Sequence, residues 1–132
     1  SLNRFHIWIY EKYDGKYIGE FNGLPFCLMK VKGRKSGKII TIALLTIPHG
    51  DDYILVASQG GAKINPMWYY NLKENPEIEM QVFSEKFKMK ASELSNEEKN
   101  ELWPKIIKAY PGYDNYQKAT DRNIPVFICK KD

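Results

Sequence analysis

Arginine is scarce in this chain: among 132 residues and 20 basic side chains, only Arg4, Arg34 and Arg122 carry a guanidinium. Each therefore marks a place where a planar fork could grip a phosphate or carboxylate. The net charge of +4, almost all from lysine, suits an anionic small ligand and is too weak a field to argue for nucleic acid. Cysteine is equally sparse. Cys27 and Cys129 sit in apolar runs with no CxxC spacing, which argues against a disulfide scaffold and for a reducing, cytoplasmic setting. His6 and His49 lack metal-ligand spacing, so no metal is expected. No run is long enough to span a membrane; the longest, Ile39 to Ile47, is broken by Thr41 and Thr46. No secretory signal is visible, although residues could precede Ser1.

Aromatic residues, by contrast, are abundant at 14%. That excess points either to a planar ligand and an apolar pocket or to an aromatic-rich core. The length suffices for one domain over residues 1–132. Leu2, Phe5, Ile9 and Tyr13 recur at helical spacing, predicting a short amphipathic helix over 1–14 that ends at Asp14-Gly15. It could pack on its own domain or serve as a lid or membrane contact.

Strands are predicted over Pro25–Lys32, Ile39–Ile47, Tyr53–Ala57, Ile78–Val82, Lys86–Ala91 and Ile124–Cys129. A helix is expected to start at an Asn65 cap with Pro66 in its first turn and to stop at Asn75-Pro76. Ser95-Asn96-Glu97-Glu98 has the form of a capping box, and Pro104 should kink the helix that follows or sit in its first turns. Hairpins joined by short turns predict a mainly β protein with flanking helices, an α+β barrel rather than a parallel sheet.

Three segments could carry chemistry. Ser58-Gln59-Gly60-Gly61-Ala62 lies between a strand and a helix start, where glycine amides and the helix dipole favour an anion. An ordinary glycine turn explains the same pattern. Gly33-Arg34-Lys35-Ser36-Gly37-Lys38 is a glycine-flanked basic turn, one residue short of a P-loop and followed by a strand. It could hold a phosphate or be a solvated hairpin. Tyr110, Tyr113 and Tyr116 recur every third residue and could line a flat ligand or form a core stripe. Asp121-Arg122 reads as a structural ion pair.

These segments, with Asn65-Pro66-Met67-Trp68-Tyr69, Asn71-Leu72-Lys73-Glu74-Asn75-Pro76, Trp103-Pro104, Thr120-Asp121-Arg122 and Ile124-Pro125, resemble in order the deazaflavin-dependent nitroreductase family. The subgroup resembled is typified by a mycobacterial enzyme that activates bicyclic nitroimidazoles. The resemblance implies a split β-barrel of the flavin-reductase, FMN-binding type. It also implies hydride transfer from reduced coenzyme F-420, an 8-hydroxy-5-deazaflavin, to a quinone-like or nitroaromatic acceptor. By it, Arg34, Lys35, Ser36 and Lys38 would hold the phosphate and acidic tail. Ala57, Ser58, Gln59, Gly60, Gly61, Ala62, Asn65, Pro66, Met67, Trp68 and Asn71 would frame the ring. Ser58, Tyr110, Tyr113 and Tyr116 would act on the acceptor.

Four positions depart from the family. Gln59 replaces a lysine, Ile40 and Ala43 stand where an arginine and a proline are usual, and Leu45 replaces an aromatic. Each lost cationic contact would be worth about 1.5–3 kcal/mol if charge-assisted. Lys38 or Lys63 could compensate; otherwise the cofactor would bind more weakly, a related flavin such as FMN would occupy the site, or the chain would be a non-catalytic deazaflavin or flavin carrier. A cytoplasmic protein is expected, with contact at the inner face of the membrane through the first helix left open beside packing on its own domain. Oligomeric state is left open by the sequence.

Overall fold

A computed structural model describes residues 2–16, 19–21 and 23–132, with nothing described of the Leu2 side chain. Helix α1 (Leu2–Tyr13) is followed by strands β1 (Glu20–Phe21), β2 (Leu24–Lys32), β3 (Ile39–Leu45), β4 (Ile47–His49) and β5 (Asp52–Val56). A 3-10 turn over Gln59–Gly61 leads into α2 (Met67–Glu74), β6 (Glu77–Val82) and β7 (Glu85–Glu93). Helices α3 (Asn96–Ala109) and α4 (Gly112–Lys118) precede the last strand, β8 (Val126–Lys131).

The described strand pairs are antiparallel and run β2-β6-β7-β8-β5-β4, with β3 on the other edge of β2. β3 and β4 are two parts of one chain run divided at Thr46. The Thr46 amide donates to the Pro25 carbonyl (2.9 Å) and its hydroxyl to the Ile54 carbonyl (3.1 Å), so the residue bridges β2 and β5. The sheet thus curls back on its starting strand, giving the split-barrel architecture with helices outside.

Side-chain alternation assigns each face. Cys27, Met29 and Val31 of β2 join Leu55, Met80, Met89, Phe127 and Cys129 inside the barrel, where Trp68 and Leu72 of α2 pack on them. The opposite faces of β5 and β8 place Ile54, Val56 and Val126 under α3 and α4, against Ile106 and Tyr113. Both strands are covered on both sides, which accounts for their unbroken apolar sequence. On β2, Leu28 points outward to meet Tyr10 of α1. Buried apolar surface on both sides of the sheet drives this arrangement.

Local chemistry fixes several boundaries. Asp14 and Gly15 end α1 with φ of +52° and +76°. The capping box at Ser95 forms in both directions: Glu98 N–H donates to Ser95 Oγ (3.2 Å) and Ser95 N–H to Glu98 Oε1 (2.9 Å). Pro104 lies inside α3, well past its first turn. Helix α2 begins one residue later than the sequence suggests. Pro66 is its N-cap, and Asn65 is drawn elsewhere because its side-chain oxygen accepts from Arg122.

Candidate active site

A cavity of about 300 Å³ opens where the 58–60 turn, the end of β3 and the start of α4 meet. Ser58, Gln59, Gly60, Pro66 and Trp68 form one side; Tyr110, Tyr113 and Tyr116 form the other; Ala43, Leu44 and Leu45 close it from β3. Its size and mixed lining match those of ligand sites.

The tyrosines come together although Tyr110 lies before α4 and the other two lie within it. Tyr110 and Tyr113 meet edge to face with ring centroids 4.7 Å apart, and Tyr116 is 6.3 Å from each. The Tyr110 and Tyr116 hydroxyls are 3.4 Å apart. Burial pushes the Tyr113 phenol far above its ordinary pKa. The hydroxyl contact between Tyr110 and Tyr116, then burial, raises the pKa of Tyr110. Both phenols are therefore neutral hydrogen-bond donors at physiological pH.

Gly60 has φ +63°, and a Cβ built there would meet nothing within 4 Å. Its missing side chain leaves open space on the turn wall. Gly61 serves a different need. A Cβ there would lie 2.9 Å from the Tyr116 carbonyl oxygen, so glycine allows the turn to touch α4. The expectation that both glycine amides face a ligand does not hold for Gly61, whose N–H donates to the Ser58 carbonyl (2.9 Å) inside the turn.

The basic turn stands apart. Gly33 donates to the Lys38 carbonyl (2.8 Å), and Ser36 Oγ accepts from the Lys38 amide (3.1 Å). Asn71 is a buried strut rather than a wall residue: its Oδ1 accepts from the Arg34 amide (3.0 Å), tying the turn to α2. The Arg34 guanidinium lies 5.2 Å over the Tyr70 ring, beside a cleft of about 310 Å³ with Lys73 and Glu74. From Lys38, just before β3, to Ala43 within it, the chain rises about 16 Å at the usual strand spacing, from the basic turn to the cavity.

Ala57, Ala62 and Asn65 lie behind the cavity, bonded to Arg122. Met67 is exposed on the first turn of α2. Lys35 is exposed on the basic turn, and Lys63 lines a separate cleft of about 430 Å³ with Lys118 and Arg122. Of the departures, Ala43, Leu45 and Gln59 border the cavity, while Ile40 is exposed on β3 nearer the basic turn.

The expected Asp121–Arg122 ion pair is replaced by carbonyl contacts, because the guanidinium turns into the loop before α2. Sequence reasoning had flagged arginine by its rarity without giving Arg122 this place. It also missed Leu55 and Val56, which border the cavity, and Gln117, which bonds the Arg122 carbonyl.

Comparison with known proteins agrees with this architecture. The family described as F420H(2)-dependent quinone reductase matches residues 2–131. An F420H(2)-dependent quinone reductase of Mycobacterium tuberculosis is 34% identical over 135 residues, covering 99% of this chain and 91% of its own length. A solved F420-H2 dependent reductase superposes with a TM-score of 0.74 at 39% identity, over 80% of this chain and 94% of that one. A second solved chain, described as a domain-swapped dimer, has the same TM-score at 35% identity and covers 95% and 98%. With the match running almost end to end, this chain belongs to the F420H(2)-dependent quinone reductase family.

Proposed function

We propose that the chain passes a hydride from reduced F-420 to a quinone-like acceptor in the cavity between the 58–60 turn and the tyrosines. The observation that carries this reading is the pairing of that cavity with a basic turn some 16 Å along β3. A long ligand with a planar ring at one end and anionic groups at the other fits both. Arg34, Lys35, Ser36 and Lys38 would hold the anionic part. Ser58, Gln59, Pro66 and Trp68 would frame the ring, with the space at Gly60 admitting it, while Ala57, Gly61, Ala62, Asn65, Met67 and Asn71 would support that frame.

The coenzyme supplies the hydride from its ring carbon 5; the protein supplies orientation and electrostatics. Tyr110 and Tyr113, kept neutral, donate hydrogen bonds where negative charge develops on an acceptor oxygen. Ser58 and Tyr116 border the same space and can complete that set or relay the proton. A nitro group offers similar oxygens, so nitroaromatics are expected as adventitious acceptors.

The test is turnover: mix the protein with reduced F-420 and menadione and follow the return of oxidised-cofactor absorbance. Menadione-dependent oxidation supports the reading. Tight F-420 binding without it would instead identify a carrier.

The described helices include none long and apolar enough to cross a membrane. We propose a cytoplasmic protein that touches the inner face of the membrane through α1, a contact supported by Phe5 and Trp8, 58% and 54% exposed beside Lys12. Co-sedimentation with anionic vesicles should fall in a Phe5→Ser, Trp8→Ser variant. Unchanged sedimentation would remove that placement.

A further inference from the structure

Arg122 follows α4 on the segment leading into β8 and turns its guanidinium into the loop between β5 and α2. It holds that loop on both sides of the glycines. Nε donates to the Ala62 carbonyl (3.0 Å), Nη1 to the Ala57 carbonyl (3.0 Å) and to Asn65 Oδ1, and Nη2 to the Ser58 carbonyl (2.7 Å). Between these anchors, Gln59, Gly60 and Gly61 have φ of +46°, +63° and +81°. The glycines adopt this left-handed region freely; Gln59 does not. Such a conformation persists only where its surroundings over-determine it, and four hydrogen bonds from one planar group do so.

The clamp also sets directions. The described peptides include no cis bond, and in a trans peptide the N–H points opposite to the C=O. With the Ala57 and Ser58 carbonyls drawn to Arg122, the Ser58 and Gln59 amides face the other way, and both residues border the cavity. The same arginine ties in the tyrosine wall. Gln117, on α4, donates through Nε2 to the Arg122 carbonyl (2.7 Å), while its Oε1 accepts from the Ile124 amide (3.0 Å) and from Lys99 Nζ (2.8 Å). Lys99, only 7% exposed and also bonded to Asn123 Oδ1 (2.7 Å), anchors this network to α3.

We propose that Arg122 is a positioning residue of the reductase site. It sets the turn so that the Ser58 and Gln59 amides face the ligand, in register with the tyrosines on α4. The proposal rests on reading the cavity as the F-420 and acceptor site. Lysine cannot substitute, because one ammonium cannot span acceptors at both ends of a loop.

The test uses Arg122→Lys and, as a milder change that keeps the guanidinium, Asn65→Ala. In ligand-free Arg122→Lys protein, hydrogen–deuterium exchange across residues 58–62 should quicken about tenfold or more, with the amides of the β6–β7 hairpin unchanged. Single-turnover hydride transfer to menadione should fall about tenfold or more, while F-420 affinity, followed by its fluorescence, changes only a few-fold. Asn65→Ala should show the same pattern at smaller amplitude. An Arg122→Lys protein equal to wild type in exchange and transfer overturns the proposal. So does exchange that rises evenly across the whole sheet, which marks general destabilisation. If wild type itself fails to oxidise reduced F-420, the functional reading falls, and exchange in the ligand-free protein still decides whether Arg122 sets the turn.

Discussion

At the scale of single residues, neighbouring glycines have opposite surroundings, and their substitutions should separate. Gly60→Val adds a left-handed penalty of about 1–2 kcal/mol and fills open space on the cavity wall. Its signature is an F-420 affinity lowered more than tenfold by fluorescence titration, beyond what its modest loss of thermal stability explains. Gly61→Ala drives a Cβ to within 2.9 Å of the Tyr116 carbonyl, so its effect is chiefly on stability, read as a lower melting temperature. Tyr113 is 5% exposed and carries no hydrogen bond among those described. Tyr113→Phe should keep the fold and F-420 affinity while lowering menadione turnover; equal losses of stability and activity would make it a core residue instead. The two glycines could not be told apart from their letters, because what distinguishes them is a carbonyl contributed by residue 116. The same holds for Asn65. Its type and place suit a helix cap, yet a charged donor from residue 122 takes its oxygen.

Among the elements, α1 is tied to the barrel most deeply through Tyr10, beside a bond from Asn3 Nδ2 to the Ala43 carbonyl (3.3 Å) and the His6 ring edge-on to Phe26. The buried Tyr10 hydroxyl donates to the Phe26 carbonyl (3.0 Å) and accepts from the Phe83 amide. Phe83 turns the β6–β7 hairpin at φ +54°, and Gln81 Nε2 holds its carbonyl (2.7 Å). Burial pushes the Tyr10 phenol up to about 12 from its ordinary 10.0. Because the folded-state value is raised, the stability it confers is complete below pH 10 and is lost as pH rises towards 12. Tyr10→Phe should cost about 1–3 kcal/mol near neutral pH in denaturant unfolding and flatten the alkaline fall in that window. A variant that retains the full alkaline fall would assign it to other groups.

Strand alternation and the capping box were legible because they depend on local spacing. The division of Ile39–His49 at Thr46 was not, since the apolar run is continuous and the break arises from two partners, Pro25 and Ile54. The two-residue β1 is too short to leave a periodic signal.

Across the whole molecule, the proposed site draws on the cavity segments around residues 43–45, 57–68 and 110–116 and on the basic turn 34–38, and the motifs in these segments were readable in order. Their facing was not, because it follows from the curl of the sheet and from Arg122 behind the turn. The arrangement places cations at one end of β3 and neutral donors at the other, which suits a ligand with a planar ring and a separate anionic part. The most direct measurement is therefore an equilibrium titration of the protein with F-420 and, in parallel, with FMN at two salt concentrations. The account predicts that F-420 binds, that its affinity weakens with salt, and that an Arg34→Ala, Lys35→Ala variant loses about tenfold or more together with most of that salt dependence. Tight binding of FMN with no detectable binding of F-420 would contradict it.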